Sequence, residues 1–179
     1  MYSYYTRASN VFYTSVWCLA AMCICCALLV EMYPHPGNVS KLSADRILRF
    51  GPIDLYGTGD EFDSCIMTFN LTYDLSGEWN WNVRSLYAFV VMNYTSPDYK
   101  RQEMIIWDRI HMDPKNSTFT GISIMNEYLP RDMGKTLRGK QVSLSFAYDV
   151  QPFFGRQKIF RFPPRETFTF PNHYVNEPK

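Results

Sequence analysis

The chain has few cysteines where a secreted domain would use them. It contains five cysteines in 179 residues, but only Cys65 lies after residue 30. One cysteine cannot form a disulfide within a domain, so we expect the core or partner proteins to stabilise that part of the chain. The other four lie in an apolar run and include the C-x-x-C pair Cys23 and Cys26. We interpret them as helix-packing residues, because a metal site would need further ligands and a wetter setting.

The sequence also lacks the short motifs of common enzymes. It contains no G-x-S-x-G elbow, no H-E-x-x-H and no Gly-rich phosphate loop. Its three histidines, His35, His111 and His173, have no metal-ligand spacing to one another. A net charge of +1 gives no basic field for nucleic acid. We therefore expect a non-enzymatic protein with no cofactor and no metal. A hydrolase that uses His111 is the alternative, because a Ser-His site can assemble in space without a local motif.

One long uncharged run, residues 11–30, dominates the N-terminus. A helix of that length covers roughly 30 Å, the hydrocarbon thickness of a bilayer. A cleaved signal peptide usually has a shorter apolar core, so we favour a retained anchor, although Cys25 and Ala27 offer a weak cleavage site. The expected organisation is a cytosolic stub at 1–10, a transmembrane signal anchor at 11–30, a membrane-proximal spacer at 31–39 and a lumenal domain at 40–179.

The orientation of the chain follows from charge and from glycosylation acceptors. Arg7 before the apolar run favours a cytosolic N-terminus. Four Asn-x-Ser/Thr triplets all follow the run, where a lumenal domain would carry them: Asn38, Asn70, Asn93 and Asn116. We expect Asn116, in a polar loop, to be the most accessible of the four, and Asn38 to be the one least used for glycosylation, because it lies close to the membrane.

Two segments after the anchor alternate between apolar and polar residues, at 65–75 and at 141–150. This period of two predicts half-buried strands. Residues 86–92 are apolar throughout, which predicts a strand covered on both faces. We expect loops at 51–61, 113–118 and 130–140, and further strands at 40–50, 79–94, 104–112, 120–128, 158–162 and 166–170. Short strands at even spacing predict an all-β domain, an antiparallel β-sandwich.

Several aromatic and charged residues are candidates for contacts with a partner. We expect Trp79 and Trp81 to fill the sandwich core, as large aromatics usually do, with a partner anchor as the alternative. Asp108 and Arg109 lie within a predicted strand, where we expect a cross-strand ion pair of little energetic weight on the solvated face.

Four segments together resemble one protein family. Residues 81–87, W-N-V-R-S-L-Y, resemble its W-N-V-K-Q-L-F segment, and residues 106–110, I-W-D-R-I, resemble its L-W-D-K-I segment. Residues 67–71 and 144–152 resemble two of its strands, and the order and the N-terminal anchor agree. On these grounds the chain resembles the third subunit of the endoplasmic reticulum signal peptidase complex, the 22/23 kDa subunit. The residues at the family-motif positions are Trp81, Asn82, Arg84, Trp107 and Asp108.

The resemblance implies a single-pass membrane protein with a lumenal β-sandwich. It implies a non-catalytic subunit that supports a catalytic subunit in the removal of signal peptides from nascent secretory chains. The implied partners are the catalytic and other subunits of the signal peptidase complex and membrane lipid, with nascent chains contacted only indirectly. The alternative is a free-standing, membrane-anchored lumenal binding module of the secretory pathway.

The chain departs from the family pattern at several motif positions. The loop Asp-Asp-Gly of the family is present only as residues 132–134, D-M-G. Family lysine, glutamine, tryptophan, asparagine and a glycosylated asparagine are replaced by Arg84, Ser85, Tyr148, Asp149 and Gln141. The resemblance therefore implies a divergent copy of this subunit.

Overall fold

The computed structural model describes residues 3–54, 57, 61–95, 101–133 and 136–176. The chain divides into two compact units, one ending at His35 and one beginning at Pro36. The predicted turn at 96–98, the glycine of the D-M-G segment and the last three residues lie outside the described residues.

The first unit contains one helix, α1 (Tyr4–Met32), of 29 residues. It begins before and ends after the predicted span and, at 1.5 Å per residue, is about 43 Å long. Its mean hydropathy reaches 2.1 and none of its residues is buried. The hydroxyls of Thr14 and Ser15 donate to the carbonyls of Asn10 and Val11, each at 2.8 Å, and so need no water. The helix is therefore long and apolar enough to cross a membrane.

The second unit consists of strands joined by turns. Short 3-10 turns occupy Ser76–Glu78 and Pro114–Asn116. The strands in the described part of the chain are β1 (Asn38–Asp54), β2 (Glu61–Asp74), β3 (Val83–Tyr94), β4 (Gln102–His111), β5 (Thr118–Met125), β6 (Arg131–Met133), β7 (Gln141–Pro152), β8 (Lys158–Arg161), β9 (Glu166–Thr169) and β10 (Val175–Asn176).

These strands form two antiparallel sheets. The first sheet has the order β10-β1-β2-β5, with β6 also paired to β2. The second sheet has the order β4-β3-β7-β8, with β9 also paired to β7. One apolar core joins residues of both sheets. The prediction of an N-terminal apolar helix followed by an all-β, antiparallel fold is confirmed.

The core follows the alternation seen in the sequence. The inward residues of β2 and of the turn after it are all buried: Cys65, Met67, Phe69, Leu71, Tyr73 and Leu75. The alternate residues of β7 face them, and the rings of Tyr73 and Phe146 stack with centroids 4.8 Å apart. Of the uniformly apolar residues 86–92 in β3, all but Tyr87 are buried, so the prediction of a strand covered on both faces holds for the rest.

Three segments differ from the sequence prediction. Strand β1 continues through Gly51 and Pro52, expected in a loop, because β2 pairs with it there and β10 pairs only at Arg49 and Phe50. Proline is tolerated where one side of a strand has no neighbour. Strand β3 begins at Val83, because residues 79–82 form a turn. Strand β6 lies inside the expected loop 130–140, where it adds to β2.

Candidate functional site

The chain enters the sandwich at one end, which we call the proximal end: residues 36–38, 75–82 and 151–157. The first register pair of β1 and β2, Asn38 with Asp74, lies there. Glu78 is only 2% exposed, and its Oε1 accepts the backbone N–H of Gly37 at 2.6 Å and the hydroxyl of Tyr148 at 2.9 Å. One buried carboxylate therefore ties the start of the domain to both sheets.

Close packing at this carboxylate requires glycine at position 37. A Cβ atom on Gly37 would lie 2.6 Å from the hydroxyl oxygen of Tyr148 and 2.7 Å from its ring. The Tyr148 hydroxyl is held by Glu78, so it cannot move aside without losing that hydrogen bond. Burial first, and then the charge of Glu78, raise the pKa of the Tyr148 hydroxyl. Tyr148 therefore remains a neutral donor to Glu78.

Asn82, of the first family motif, holds the turn between β7 and β8. It is 2% exposed, and its side chain makes two hydrogen bonds to the backbone of Phe154, which we call the bracket. Nδ2 donates to the Phe154 carbonyl at 2.9 Å, and Oδ1 accepts the Phe154 N–H at 3.2 Å. Its carbonyl also accepts the N–H of Phe153 at 2.8 Å. This bracket fixes the backbone of the turn at residues 153–154.

Trp81 and Trp79 lie in different surroundings. Trp79 packs against the core and donates its indole N–H to Ser117, as expected for a core residue. The prediction was wrong for Trp81, which is 53% exposed and packs against Phe154 with ring centroids 5.3 Å apart. The reason is the turn at residues 79–82, which breaks the extended geometry that would have placed both rings on one side. Trp81 with Phe153 and Phe154 forms an exposed group that we call the aromatic tip.

Arg84, the remaining residue of the first motif, is exposed in β3.

The second motif has a structural role on both faces of β4. Trp107 is 3% exposed and its ring lies 5.1 Å from that of Phe119, between centroids. Arg109 places its guanidinium 4.6 Å from the centre of the same Phe119 ring. Trp107 therefore belongs to the core that joins the sheets.

Asp108 accepts hydrogen bonds from two tyrosines on the other face of β4. Burial, followed by the Asp108 carboxylate, raises the pKa of Tyr87 to about 12. The hydrogen bond with Asp108 raises the pKa of Tyr128 as well. Asp108 thus fixes two tyrosine hydroxyls beside the outer face of the second sheet.

That outer face carries an apolar strip across four strands. Its centre is Phe89, Val91 and Ala147, packed with Tyr87. Its margins are exposed isoleucines on the neighbouring strands, Ile105, Ile110 and Ile159, at 40%, 57% and 55%. We call this set the outer strip. Exposed apolar side chains grouped on one sheet face are a feature of interaction sites.

Asp149 lies beside the outer strip, between Tyr87 and Ile159 in the register. It is 5% exposed. The Gln157 side-chain amide donates to its Oδ2, whereas Oδ1 is buried with no hydrogen-bond partner in the described part of the chain. Burial raises the pKa of this carboxyl group.

His111 and Cys65, two groups of the β-domain with well-known acid–base or nucleophilic chemistry, are buried. His111 is 4% exposed, its Nε2 lies 2.8 Å from the Tyr73 hydroxyl, and its ring also hydrogen-bonds the backbone of Asn116. Burial lowers the pKa of His111. Cys65 is fully buried, and burial raises the pKa of its thiol to about 12. The described residues contain no cluster of three metal-ligating side chains.

The four glycosylation acceptors differ in exposure. Asn38 and Asn116 are exposed. Asn70 accepts the N–H of Ser123 and donates to the Ser43 hydroxyl. The amide of Asn93 donates to the Ser145 hydroxyl at 3.0 Å, while its Oδ1 is buried. Exposure therefore separates Asn38 and Asn116 from the other two acceptors, and which acceptor carries a glycan stays a prediction.

A family model described as "Signal peptidase subunit" matches residues 1–173. The chain belongs to the signal peptidase subunit family. It is 26% identical over 177 residues to signal peptidase complex subunit 3 of Caenorhabditis briggsae, covering 98% of this chain and 97% of the worm protein. It is 24% identical over 170 residues to signal peptidase complex subunit 3 of Homo sapiens, covering 94% of each. It is also similar to "Adipocyte-related X-chromosome expressed sequence 1" of Mus musculus, 25% identical over 175 residues and covering 97% of each.

In this member of the signal peptidase subunit family, the two tryptophan motifs serve different parts of the domain. The first shapes the proximal end, whereas the second joins the sheets. The sequence pattern does not predict the roles of Glu78, Phe153 and Phe154, because they lie in turns, where no periodicity separates buried from exposed residues. The one available signal was Gly37, a small residue before the first strand.

Proposed function

We propose that this chain is a non-catalytic subunit of the endoplasmic reticulum signal peptidase complex, where it supports the catalytic subunit. The observation that carries the proposal is the family match over residues 1–173, which spans both the apolar helix and the β-domain. Relatives of nearly the same length are named as subunit 3 of that complex. Signal peptides would be cut by the catalytic subunit, and nascent chains would meet this chain only indirectly.

The burial and the hydrogen bonds of His111 support a non-catalytic role. A general base must be able to reach the proton that it removes. His111 is buried and hydrogen-bonded to Tyr73 and to the backbone of Asn116. A hydrolase that uses His111 would require at least one of these contacts to break, because a general base needs a free ring nitrogen.

The proposed topology is a single-pass type II membrane protein of the endoplasmic reticulum with a cytosolic N-terminus. Helix α1 is long and apolar enough to span a bilayer. Arg7 favours the cytosolic side for the N-terminus, and all four glycosylation acceptors follow the helix. The domain from residue 36 onward would then be lumenal.

We infer that the outer strip of the second sheet faces other subunits of the complex. The strip presents three exposed isoleucines around a buried aromatic centre, whereas the polar residues of β2, including Asn70 and Thr72, face outward on the first sheet. An apolar surface is stabilised when a partner removes it from water. Ile110→Asp and Ile159→Asp would each weaken assembly, whereas Ile122→Asp, an exposed isoleucine of β5 in the first sheet, is the matched control.

The test of the proposed function is the recovery of partners. The tagged full-length chain is purified from membranes in mild detergent, and the co-purifying proteins are identified and quantified. We expect the signal peptidase catalytic subunit in near-equal amount. Recovery of the intact chain alone would instead favour a free-standing, membrane-anchored binding module.

Protein lifetime separates the same two functions in cells. A subunit that depends on its assembly is degraded faster when the catalytic subunit is depleted, whereas a free-standing module keeps its lifetime. A His111→Ala variant tests the hydrolase alternative: loss of a purified activity with the fold intact would establish it.

A further inference from the structure

The aromatic tip lies at the end of the domain that is joined to the apolar helix by the shortest stretch of chain. Helix α1 ends at Met32 and the domain begins at Pro36, so only residues 33–35 separate them. The domain starts at the proximal end, because Glu78 holds Gly37 beside the turn after β2. The connecting chain can extend by no more than about 3.5 Å per residue. The proximal end is therefore tethered, by a few residues only, to any membrane that holds the helix.

The tip exposes large aromatic surface on a fixed backbone. Trp81, Phe153 and Phe154 are 53%, 68% and 40% exposed. Their positions are set by the bracket from Asn82 to Phe154 and by its carbonyl bond to the N–H of Phe153. Exposed rings on a flexible turn would need no explanation. Three rings held outward by a buried side chain amount to a preorganised apolar surface.

The composition of the turn matches the interfacial zone of a bilayer. Residues 152–157 contain no acidic residue, and Arg156 is exposed next to Gly155, which has a positive φ of 95°. Tryptophan is enriched where the hydrocarbon meets the headgroups, because its ring is apolar and its N–H is polar. Basic side chains near the surface are attracted to anionic headgroups.

We propose that the aromatic tip inserts into the lumenal interfacial layer of the membrane that holds the chain's own anchor. The ligand is the phospholipid interface. The rings of Trp81, Phe153 and Phe154 would enter it, with Arg156 at headgroup level. Contact through the tip would limit how the domain tilts over the membrane. The inference rests on the membrane anchorage in the proposed function and not on assembly with the signal peptidase complex.

The test is photolabelling by lipid in native membranes. Cells that express the tagged full-length chain are supplied with a phospholipid that carries a diazirine near the top of its acyl chain. After irradiation the adducts are mapped by mass spectrometry. We expect adducts on peptides that contain Trp81 and residues 153–154. Ile122 and Tyr128, exposed at 80% and 50% away from this end, should carry none.

Two variants make the labelling specific. Replacement of Trp81, Phe153 and Phe154 by serine keeps Asn82 and its hydrogen bonds to the turn, so the fold is retained; we expect loss of the adducts at 81 and 153–154. The control Ile122→Ser removes a similarly exposed side chain, and we expect it to leave those adducts unchanged.

Helix α1 serves as an internal standard. Labelled α1 with an unlabelled tip would overturn the tip proposal and leave the proposed function intact. Equal labelling of the tip and of Ile122 would also overturn it. An unlabelled α1 would overturn the anchorage itself and this inference with it.

Discussion

Asp149 shows how one substitution changes the electrostatics of the second sheet. Its carboxylate is buried, one oxygen has no partner in the described part of the chain, and its pKa is raised. Because the folded state holds the proton more tightly than the unfolded state, stability falls as pH rises from the ordinary value of 3.8 through the folded pKa. The resemblance places an uncharged asparagine at this position in the family.

We therefore predict that Asp149→Asn stabilises the protein at neutral pH. The substitution removes a buried charge, and we expect a gain of about 1–2 kcal/mol in the free energy of unfolding. The measurement is chemical denaturation of the full-length chain in detergent micelles, followed by tryptophan fluorescence. Below pH 3.8 the wild-type carboxyl is protonated in both states, so the gain should vanish there. A gain independent of pH would contradict this account.

Asn82 has a role that its motif alone does not reveal. Its side chain makes two hydrogen bonds to the backbone of Phe154 at a buried position. We predict that Asn82→Ala lowers the free energy of unfolding by about 2–3 kcal/mol, since each lost neutral hydrogen bond costs about 1 kcal/mol and the truncation leaves a cavity at a buried position.

Asn82→Asp is the matched comparison for this prediction. It keeps the acceptor for the Phe154 N–H but replaces the donor by a charged oxygen that faces the Phe154 carbonyl. It should therefore also destabilise the protein at neutral pH, and less so when acid restores a donor. Hydrogen exchange at the amides of Phe153 and Phe154 reports the same bracket locally. Unchanged protection of these amides in Asn82→Ala would refute the assignment.

At the scale of elements, Glu78 connects the start of β1 with β7. The 3-10 turn Ser76–Glu78 places this carboxylate within hydrogen-bond distance of the Gly37 N–H, where the chain enters the domain. The alternation of apolar and polar residues in the strands does not predict a buried acidic residue in a turn. The cost of burying it is offset because it accepts two hydrogen bonds.

We predict that Glu78→Ala destabilises the domain by about 2–4 kcal/mol, because it leaves the Gly37 N–H and the Tyr148 hydroxyl without an acceptor. Glu78→Gln keeps a carbonyl oxygen at this position and should cost less than half as much. Thermal unfolding of both variants, followed by near-ultraviolet circular dichroism, gives the ranking. Equal destabilisation by the two variants would show that the charge matters more than the shared acceptor.

The strands themselves follow from sequence to different extents. β2 and β7 have one core face and one polar face, so their alternation is visible in the residues. β1 is less regular, with register shifts at three places along β2, and its passage through Pro52 depends on which side of the strand has a neighbour. The start of β3 at Val83 depends on a turn stabilised by Asn80 and Asn82, which no periodic pattern encodes.

At the scale of the whole molecule, the glycosylation acceptors test the proposed topology. Only a lumenal domain receives N-linked glycans. Asn116 is exposed in the turn between β4 and β5, whereas the amide of Asn93 bonds Ser145 beside the outer strip. A glycan at Asn93 would break that bond and cover the surface that we assign to partners.

We predict that Asn116→Gln removes a glycosidase-sensitive mobility shift of the full-length chain expressed in cells with an endoplasmic reticulum. Asn93→Gln, the control, should leave the shift unchanged. The measurement is gel mobility before and after glycosidase treatment. A shift that disappears in Asn93→Gln and persists in Asn116→Gln would contradict the assignment.

The linear sequence is sufficient to predict the apolar helix, the antiparallel β-domain and the family. Each rests on a signal that repeats along the chain: an uncharged run of bilayer length, a period of two, and motifs kept in order. It also placed Trp107, Asn82 and Trp81 in family motifs, without their surroundings.

Which motif residues are buried depends on contacts that form when the chain folds. Trp107 fills the core, whereas Trp81 is exposed with Phe153 and Phe154, because a turn and the bracket from Asn82 bring together residues about seventy positions apart. Burial, hydrogen-bond partners and the raised or lowered pKa values of Asp149 and His111 depend on such distant contacts. Residue spacing along the chain sets periodicity, but not which distant side chains share one site.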